Sequence, residues 1–483
     1  MSLFHFGSGQ SAPPTNSIST DVCVAGAGPA GLACARLLLK AGLSVVVLEG
    51  RSRIGGRTKT EPLGKGHVDV GAQWICKSQE HINSLLKELG LEDQKREQKW
   101  FTDIKASPED ALVRSGSENA LTANERERLK EIARYIQRLS DELPEKTHPE
   151  YHEILQEHDS KSFEAFMADH LESKKLSETE TQNIRKELRQ FICNTFACEP
   201  NQVSFLFVLE CIKSCGSLYL LADGEDGAQE YTLRCGLGRV VEMLGEKIQE
   251  RSYGANEAVL TRSNVSRITA GKEEVTVVAS NVTVTCRWAV VAFAPTLWNR
   301  ISFEPELPPQ KMALTSGMSM GHVIKVFAVY DEDFWTGRKT SERLLEDLGP
   351  VFNLFPAEVG GDPALVGLIT ASRAADLAYE NNDKIMALVL RQYYEFFGQD
   401  IRAYRPTYFK SKSWGGDKYS GGCYEAVPRV DCAANLTEHG PEIHAGRIGF
   451  ACTEMATKWI GFVDGAIEAG ERAAREAIEH LQQ

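Results

Sequence analysis

The sequence predicts an α/β fold organised on a Rossmann-like dinucleotide-binding unit, and three observations carry that prediction. Gly26, Gly28 and Gly31 form G-x-G-x-x-G directly after an apolar strand pattern and at the mouth of a helical one. A second apolar run, Ser44 to Leu48, follows that helix and ends on the acid Glu49, completing a β-α-β register. Composition then alternates between β-branched apolar stretches and a long charged helical one, as a chain with more than one domain would.

Residues 1–20 are rich in Ser, Gly, Pro and Asn and read as a flexible lead-in, so order is expected from Asp21. The first helix is expected to end at Gly42, followed by the second strand. A second glycine cluster, Ile54 to Thr58 (IGGRT), precedes VDVGAQWI at Val68 to Ile75. A helix pattern from His81 to Leu89 is closed by Gly90. From about Lys95 to Arg189 apolar residues recur at helical spacing among Glu, Lys, Arg and Gln, with capping boxes at Thr122/Glu125 and Ser177/Glu180. GLGRVVEML after Gly236 reads as a turn and helix. Glu273 to Thr285 alternates in period two, a short antiparallel meander, and Trp288 to Pro295 is apolar enough to be a separate, fully buried strand. Mixed strands and helices continue to about Arg402, and the last segment reads strand, loop, long helix.

A chain of 483 residues has volume for two or three domains. Its 54 Lys and Arg against 67 Asp and Glu leave a net charge of −13, which argues against a nucleic-acid groove and suits a cationic small-molecule partner. Twelve cysteines contain no CxxC pair and read as reduced thiols. Sequons at Asn264, Asn281 and Asn435 read as chance, because no basic-then-apolar leader precedes them. No apolar run approaches the ~18 residues of a membrane span, and no histidine pattern such as HExxH marks a metal.

The glycine turn has a definite chemistry. Gly26 permits the tight turn, Gly28 lets backbone N–H groups approach a pyrophosphate, and Gly31 permits close helix packing. Glu49 is placed to accept from ribose hydroxyls. These features leave NAD and FAD open. The following GRSRIGGRT, with Arg51 and Arg57, suits the longer dinucleotide, whose pyrophosphate and isoalloxazine both need contacts.

Taken with FACTEMATKWIGFVDGAIEAGERAAREAI near the end, GAGPAGLACARLLLKAGLSVVVLEGRSRIGGRT and VDVGAQWI resemble the flavin-containing amine oxidases. SGGCY, Ser420 to Tyr424, resembles the segment by which monoamine oxidases hold FAD covalently. The resemblance runs from about Asp21 to Ile478. It implies a Rossmann-like FAD-binding domain of the GR2, p-hydroxybenzoate-hydroxylase-like type with an interleaved α+β substrate-binding domain. The implied FAD domain takes 21–90, 221–300 and 403–483; the substrate domain takes 91–220 and 301–402. Carried over residue by residue, the cofactor would meet Gly26, Gly28, Ala30, Gly31, Glu49, Arg51, Gly56, Arg57, Gly71, Ala72, Gln73 and Trp74. It would also meet Val265, Trp414, Tyr419, Thr453, Glu454 and Val463, with Cys423 as the covalent attachment.

The resemblance further implies that Lys325, a lysine inside the apolar run HVIKVFAVY, holds a water beside the flavin. It places Tyr424 and Phe462 as the aromatic pair around the amine, with Phe462 standing where monoamine oxidases usually carry Tyr. Cys452 and Met455 depart from the usual FAGTETAT. Leu221, Ala222 and Gln229 would line the substrate cavity. The implied reaction oxidises a primary or secondary monoamine to an imine, then aldehyde and ammonia, with O2 reduced to H2O2. Polyamine or L-amino-acid oxidation on the same fold, and a catalytically weak flavin-binding scaffold, are the alternatives. EAIEHLQQ carries no apolar anchor, so a soluble cytoplasmic enzyme is expected, with a homodimer left open.

Overall fold

The computed structural model describes residues 16–99, 101, 107–113, 121–145, 147–174, 176–222, 227–251, 258–336 and 345–482. Its centre is an eight-stranded sheet. Ser17–Ala25 runs parallel to Val45–Leu48 on one side and to Thr283–Val291 on the other. Val259–Leu260 extends the first edge, while Ile448–Phe450 joins Thr283–Val291 in parallel. Beyond them Val275–Ala279 and Val265–Ala270 turn back antiparallel, and Ser302–Glu304 pairs with the latter. Val22, Val24, Val47 and Val290 are fully buried, as strands covered on both faces require.

Pro29–Lys40 packs on this sheet beside the C-terminal helix Val463–Gln482. The two helices touch backbone to backbone, because a Cβ at Gly470 would lie 2.1 Å from the Ala30 carbonyl oxygen. That contact ties the chain's last helix to its first.

Order begins earlier than the composition implies. Ser17 to Thr20 are strand, because they pair with Thr283 to Cys286, and long-range pairing overrides their polar character. Residues 1–15 lie outside the described residues. The alternating and the continuous apolar runs are also one strand, Thr283–Val291, rather than two. Its first half alternates in burial and pairs antiparallel with Val275–Ala279; its second half is buried throughout, between Ser17–Ala25 and Ile448–Phe450.

A second, antiparallel sheet has the order Asn353–Val359, Asp362–Thr370, Val323–Val329, Tyr408–Ser413. The strand Tyr408–Ser413 therefore stands with the second sheet, and Ser302–Glu304 with the first. Asn382–Phe396 packs on this sheet, and Ala123–Asp141, Glu178–Phe196 and Phe205–Cys215 share one buried cluster. Both expected capping boxes are present: Glu125 N–H donates to Thr122 Oγ1 at 3.2 Å while Thr122 N–H donates to Glu125 Oε2 at 2.6 Å, and Ser177 and Glu180 repeat the exchange. Among the described residues no helix is long and apolar enough to cross a membrane.

Candidate active site

One continuous cavity passes from the first glycine turn, between the two sheets, to the wall formed by Tyr424 and Phe462. At its start the backbone demands glycine. Gly26 has φ +111° and a Cβ there would lie 2.8 Å from the Ala292 carbonyl oxygen. At Gly31 a Cβ would lie 1.9 Å from the Gly26 carbonyl oxygen. Gly28 faces Gly56 of the second cluster, whose φ is +56° and whose added Cβ would sit 3.2 Å from the Gly28 Cα. Pro29 occupies the first turn of its helix and no side chain caps that end, so first-turn N–H groups point toward the cavity. Glu49 is held beside the turn: its Oε2 accepts from Ala27 N–H at 3.0 Å and its Oε1 from Arg51 N–H at 2.8 Å.

Two arginines join distant segments here. Arg51 donates to Asp417 Oδ1 at 2.6 Å and to Ser420 Oγ at 2.7 Å, and its guanidinium lies 5.3 Å from the Tyr419 ring. Arg57 donates to the Tyr424 carbonyl at 2.8 Å and to Glu454 Oε1 at 2.8 Å. Burial alone would lower the Arg57 pKa, but the Glu454 carboxylate reverses that and raises it. Glu454 is held below the ordinary carboxylate range by Arg57 against its own burial.

Lys325 sits mid-strand between Leu368 and Lys412, only 3% exposed. Its Nζ donates to the Gly71 carbonyl at 3.2 Å and stands 4.5 Å from the centre of the Trp74 ring. Burial pulls its pKa down to about 7, with Asp69 opposing. Trp74 is fixed by donating to Gln98 Oε1 at 2.9 Å, and Trp414 by donating to the Val70 carbonyl at 2.9 Å.

Cys423 is buried, and its N–H donates to the Gly321 carbonyl at 3.0 Å. Burial pushes its thiol up to about 12, while Arg57 works the other way. Phe462 stands edge-on to Trp459 at 5.1 Å, and its carbonyl accepts from Thr453 Oγ1 at 2.7 Å.

Most of the residues named from sequence share this cavity, including Ala30, Glu49, Ala72, Gln73, Val265, Tyr419, Leu221, Gln229 and Val463. Gly31 and Glu454 act from behind the wall, by packing and by fixing Arg57. Ala222 does not line it; its N–H closes the short helix Leu218–Leu221 on the Leu218 carbonyl, and its extended backbone leads away. Sequence reasoning missed Asn194 and Thr195 at the end of Glu178–Phe196, Asn353, Leu368 and Glu425. Only Glu425 had a visible signal, a charge inside the apolar run CYEAVP.

The cavity fits a flavin dinucleotide. Backbone packed against Gly26 and Gly31 leaves no room for a Cβ at either, which keeps the turn tight; uncapped helix N–H groups face one end of the cavity, and aromatic rings line the other. Among the described residues, Gln73 Oε1, Asn194 Oδ1 and Gln229 Oε1, buried oxygens of lining side chains, find no hydrogen-bond donor. Such atoms are expected where a polar ligand supplies the partner.

The family model described as flavin containing amine oxidoreductase matches residues 29–478. The chain is 32% identical over 466 residues to a probable flavin-containing monoamine oxidase A of Dictyostelium discoideum, covering 95% of this chain and 98% of that protein. It is 31% identical over 492 residues to the flavin-containing amine oxidase A of Bos taurus, covering 95% and 85%. Among solved structures, cyclohexylamine oxidase from Brevibacterium oxydans superposes with a TM-score of 0.79 at 24% identity, over 96% of this chain and all of that one. A putrescine oxidase bound to putrescine gives 0.78 at 23%, over 96% and 100%. At those identities the two structures show the shared fold.

Proposed function

The chain belongs to the flavin containing amine oxidoreductase family and is an FAD-dependent amine oxidase, and on that footing we propose that it oxidises primary monoamines, with secondary monoamines as further substrates. The observation that carries this reading is the convergence of the glycine cradle, Lys325 and the Tyr424 and Phe462 rings on one cavity. When bound, FAD supplies two-electron acceptance from the amine α-carbon and return of those electrons to O2; the imine left behind hydrolyses to aldehyde and ammonia.

In this reading the chain's own groups bind, orient and keep water out. Glu49 and the first-turn N–H groups hold the ADP half, with Arg57 toward the pyrophosphate and flavin. Val265 stands by the adenine. Trp74, Trp414 and Tyr419 would wall the ring, and Cys423 would hold the flavin through its sulfur. Tyr424 and Phe462 hold the amine between their faces; Phe462 keeps the apolar wall and π density and lacks the hydroxyl dipole of Tyr. Lys325, its pKa pulled down to about 7 by burial, would hold a water through a hydrogen of Nζ that Gly71 leaves unused.

The arginines along the cavity support monoamines over amino acids. A substrate carboxylate needs a cationic clamp, yet Arg51 is engaged by Asp417 and Arg57 by Glu454. We read the two sheets as the cores of the interleaved domains, with Ser302–Glu304 and Tyr408–Ser413 extending the expected boundaries. Twelve free cysteines favour a reducing, cytoplasmic setting, which fractionation checks. A peroxide-coupled assay across aromatic and aliphatic monoamines, diamines and L-amino acids tests the reading. Turnover is expected with monoamines, and turnover confined to amino acids or diamines would overturn it.

A further inference from the structure

Glu425 is the residue that follows Tyr424, and nothing in the reading above uses it. It lies in the stretch CYEAVP, is 4% exposed, and lines the cavity. Its carboxyl packs against the backbone beside Phe462: a Cβ built on Gly461 would lie 3.1 Å from Glu425 Oε2. The carboxyl thus lies against Gly461, the residue before Phe462, and lines the same cavity as Tyr424 and Phe462.

A buried carboxyl is ordinarily satisfied. Among the described residues the one donor near this carboxyl is its own backbone N–H. The charged groups facing it are Glu454, which repels its ionised form, and Arg57, which favours it and is already committed to Glu454. The remaining titratable neighbours are the thiols of Cys198, Cys211 and Cys215 behind it and Cys423 before it, all with pKa values raised by burial. Among the described residues no lysine or arginine besides Arg57 faces Glu425. Once ionised, the Glu425 carboxylate has no cationic partner of its own, and the cavity it lines is the route by which one arrives.

We propose that Glu425 receives the substrate ammonium: it binds R–NH3+ at the cavity wall beside Phe462, takes one proton from it, and releases neutral R–NH2 to the space between Tyr424 and Phe462. The step balances without a co-reactant. One N–H bond of the ammonium breaks, one O–H bond forms on the carboxylate, and the two charges disappear together. It rests on the amine-oxidase reading, since an amine in water arrives as the ammonium and only the neutral form has the nitrogen lone pair that oxidation at the α-carbon requires. Burial and Glu454 raise the Glu425 pKa to about 8, which brings the carboxyl closer to an alkylammonium than an ordinary carboxylate stands and lowers the cost of passing the proton. As pH rises through about 8 the carboxylate forms, and the site becomes cation-binding.

The test uses the flavin-loaded enzyme and a probe that cannot lose a proton. Binding of benzyltrimethylammonium, followed by its perturbation of the flavin spectrum, is measured from about pH 6.5 to about pH 9.5 against its uncharged isostere neopentylbenzene. The cation should tighten by about tenfold across that range and the isostere should not. In Glu425→Gln the cation should bind weakly at every pH, and Glu425→Asp should restore the pH dependence. A flat cation affinity in the unaltered enzyme overturns the proposal without any variant, as does the same rise in Glu425→Gln. Failure of the functional reading looks different: an enzyme that turns over no amine, whatever the cation titration gives.

Discussion

Arg57 and Glu454 are 397 residues apart in sequence and 2.8 Å apart in space. The pair fastens the second glycine cluster to the C-terminal loop, and a second Arg57 hydrogen bond, to the Tyr424 carbonyl, fastens both to the SGGCY segment. Three stretches that bracket the cavity are thereby fixed by one guanidinium. Glu454 is fully buried, so its charge depends on that partner.

Removing the cation should therefore cost far more than a surface pair would. Arg57→Met is expected to destabilise the protein by about 3–5 kcal/mol and to purify with little flavin. Thermal melts and the flavin absorbance of the purified variant check both. The pair also sets an acid limit. Glu454 has its pKa lowered from 4.5, so its contribution is present above that value and is lost as pH falls through the lower, folded one.

Gly31→Ala should abolish flavin binding. The new methyl would lie 1.9 Å from a backbone oxygen, and backbone cannot step aside as a side-chain tip can. The expected product is a colourless protein; a yellow one with normal flavin content would show that the turn tolerates the methyl.

Cys423 should retain the cofactor through denaturation. Acid-precipitated protein is expected to stay yellow, with a flavin mass on the peptide containing Cys423, and Cys423→Ala should release its flavin to the supernatant. A colourless pellet from the unaltered protein would remove the covalent claim.

Lys325→Met should slow the flavin half-reactions by about 10²-fold, as loss of a positioned proton-transfer group does. The lysine titrates near 7, so rates in the unaltered enzyme should change as it loses its proton above that pH, and the Met variant should lack that limb. Rapid-mixing measurements of reduction and of reoxidation by O2 separate the two steps; unchanged rates in both would take Lys325 out of the mechanism.

The parts of this protein that were legible from sequence are those encoded locally. The glycine turn, the acid after the second strand, and the capping boxes of Ala123–Asp141 and Glu178–Phe196 each depend on residues within one or two turns of each other. Cys423, Lys325 and Phe462 became legible through short distinctive motifs. Ser17 to Thr20 were not, because their strand is dictated by partners more than 260 residues away. Asn194, Thr195 and Asn353 were not either: they sit at a helix end and a strand start that look ordinary alone and meet only when the second sheet packs on the helices. Glu425 was overlooked because its meaning lies in what surrounds it, burial and a second carboxylate, Glu454, beside it.

A cavity that brings an amine to a bound flavin must let that amine reduce the flavin, which anaerobic titration of the yellow enzyme with amines measures. A monoamine such as benzylamine or a short alkylamine should bleach the flavin absorbance in full, one equivalent of aldehyde should appear per flavin, and air should restore the colour. A flavin-loaded enzyme that keeps its oxidised spectrum against the whole panel would contradict the account.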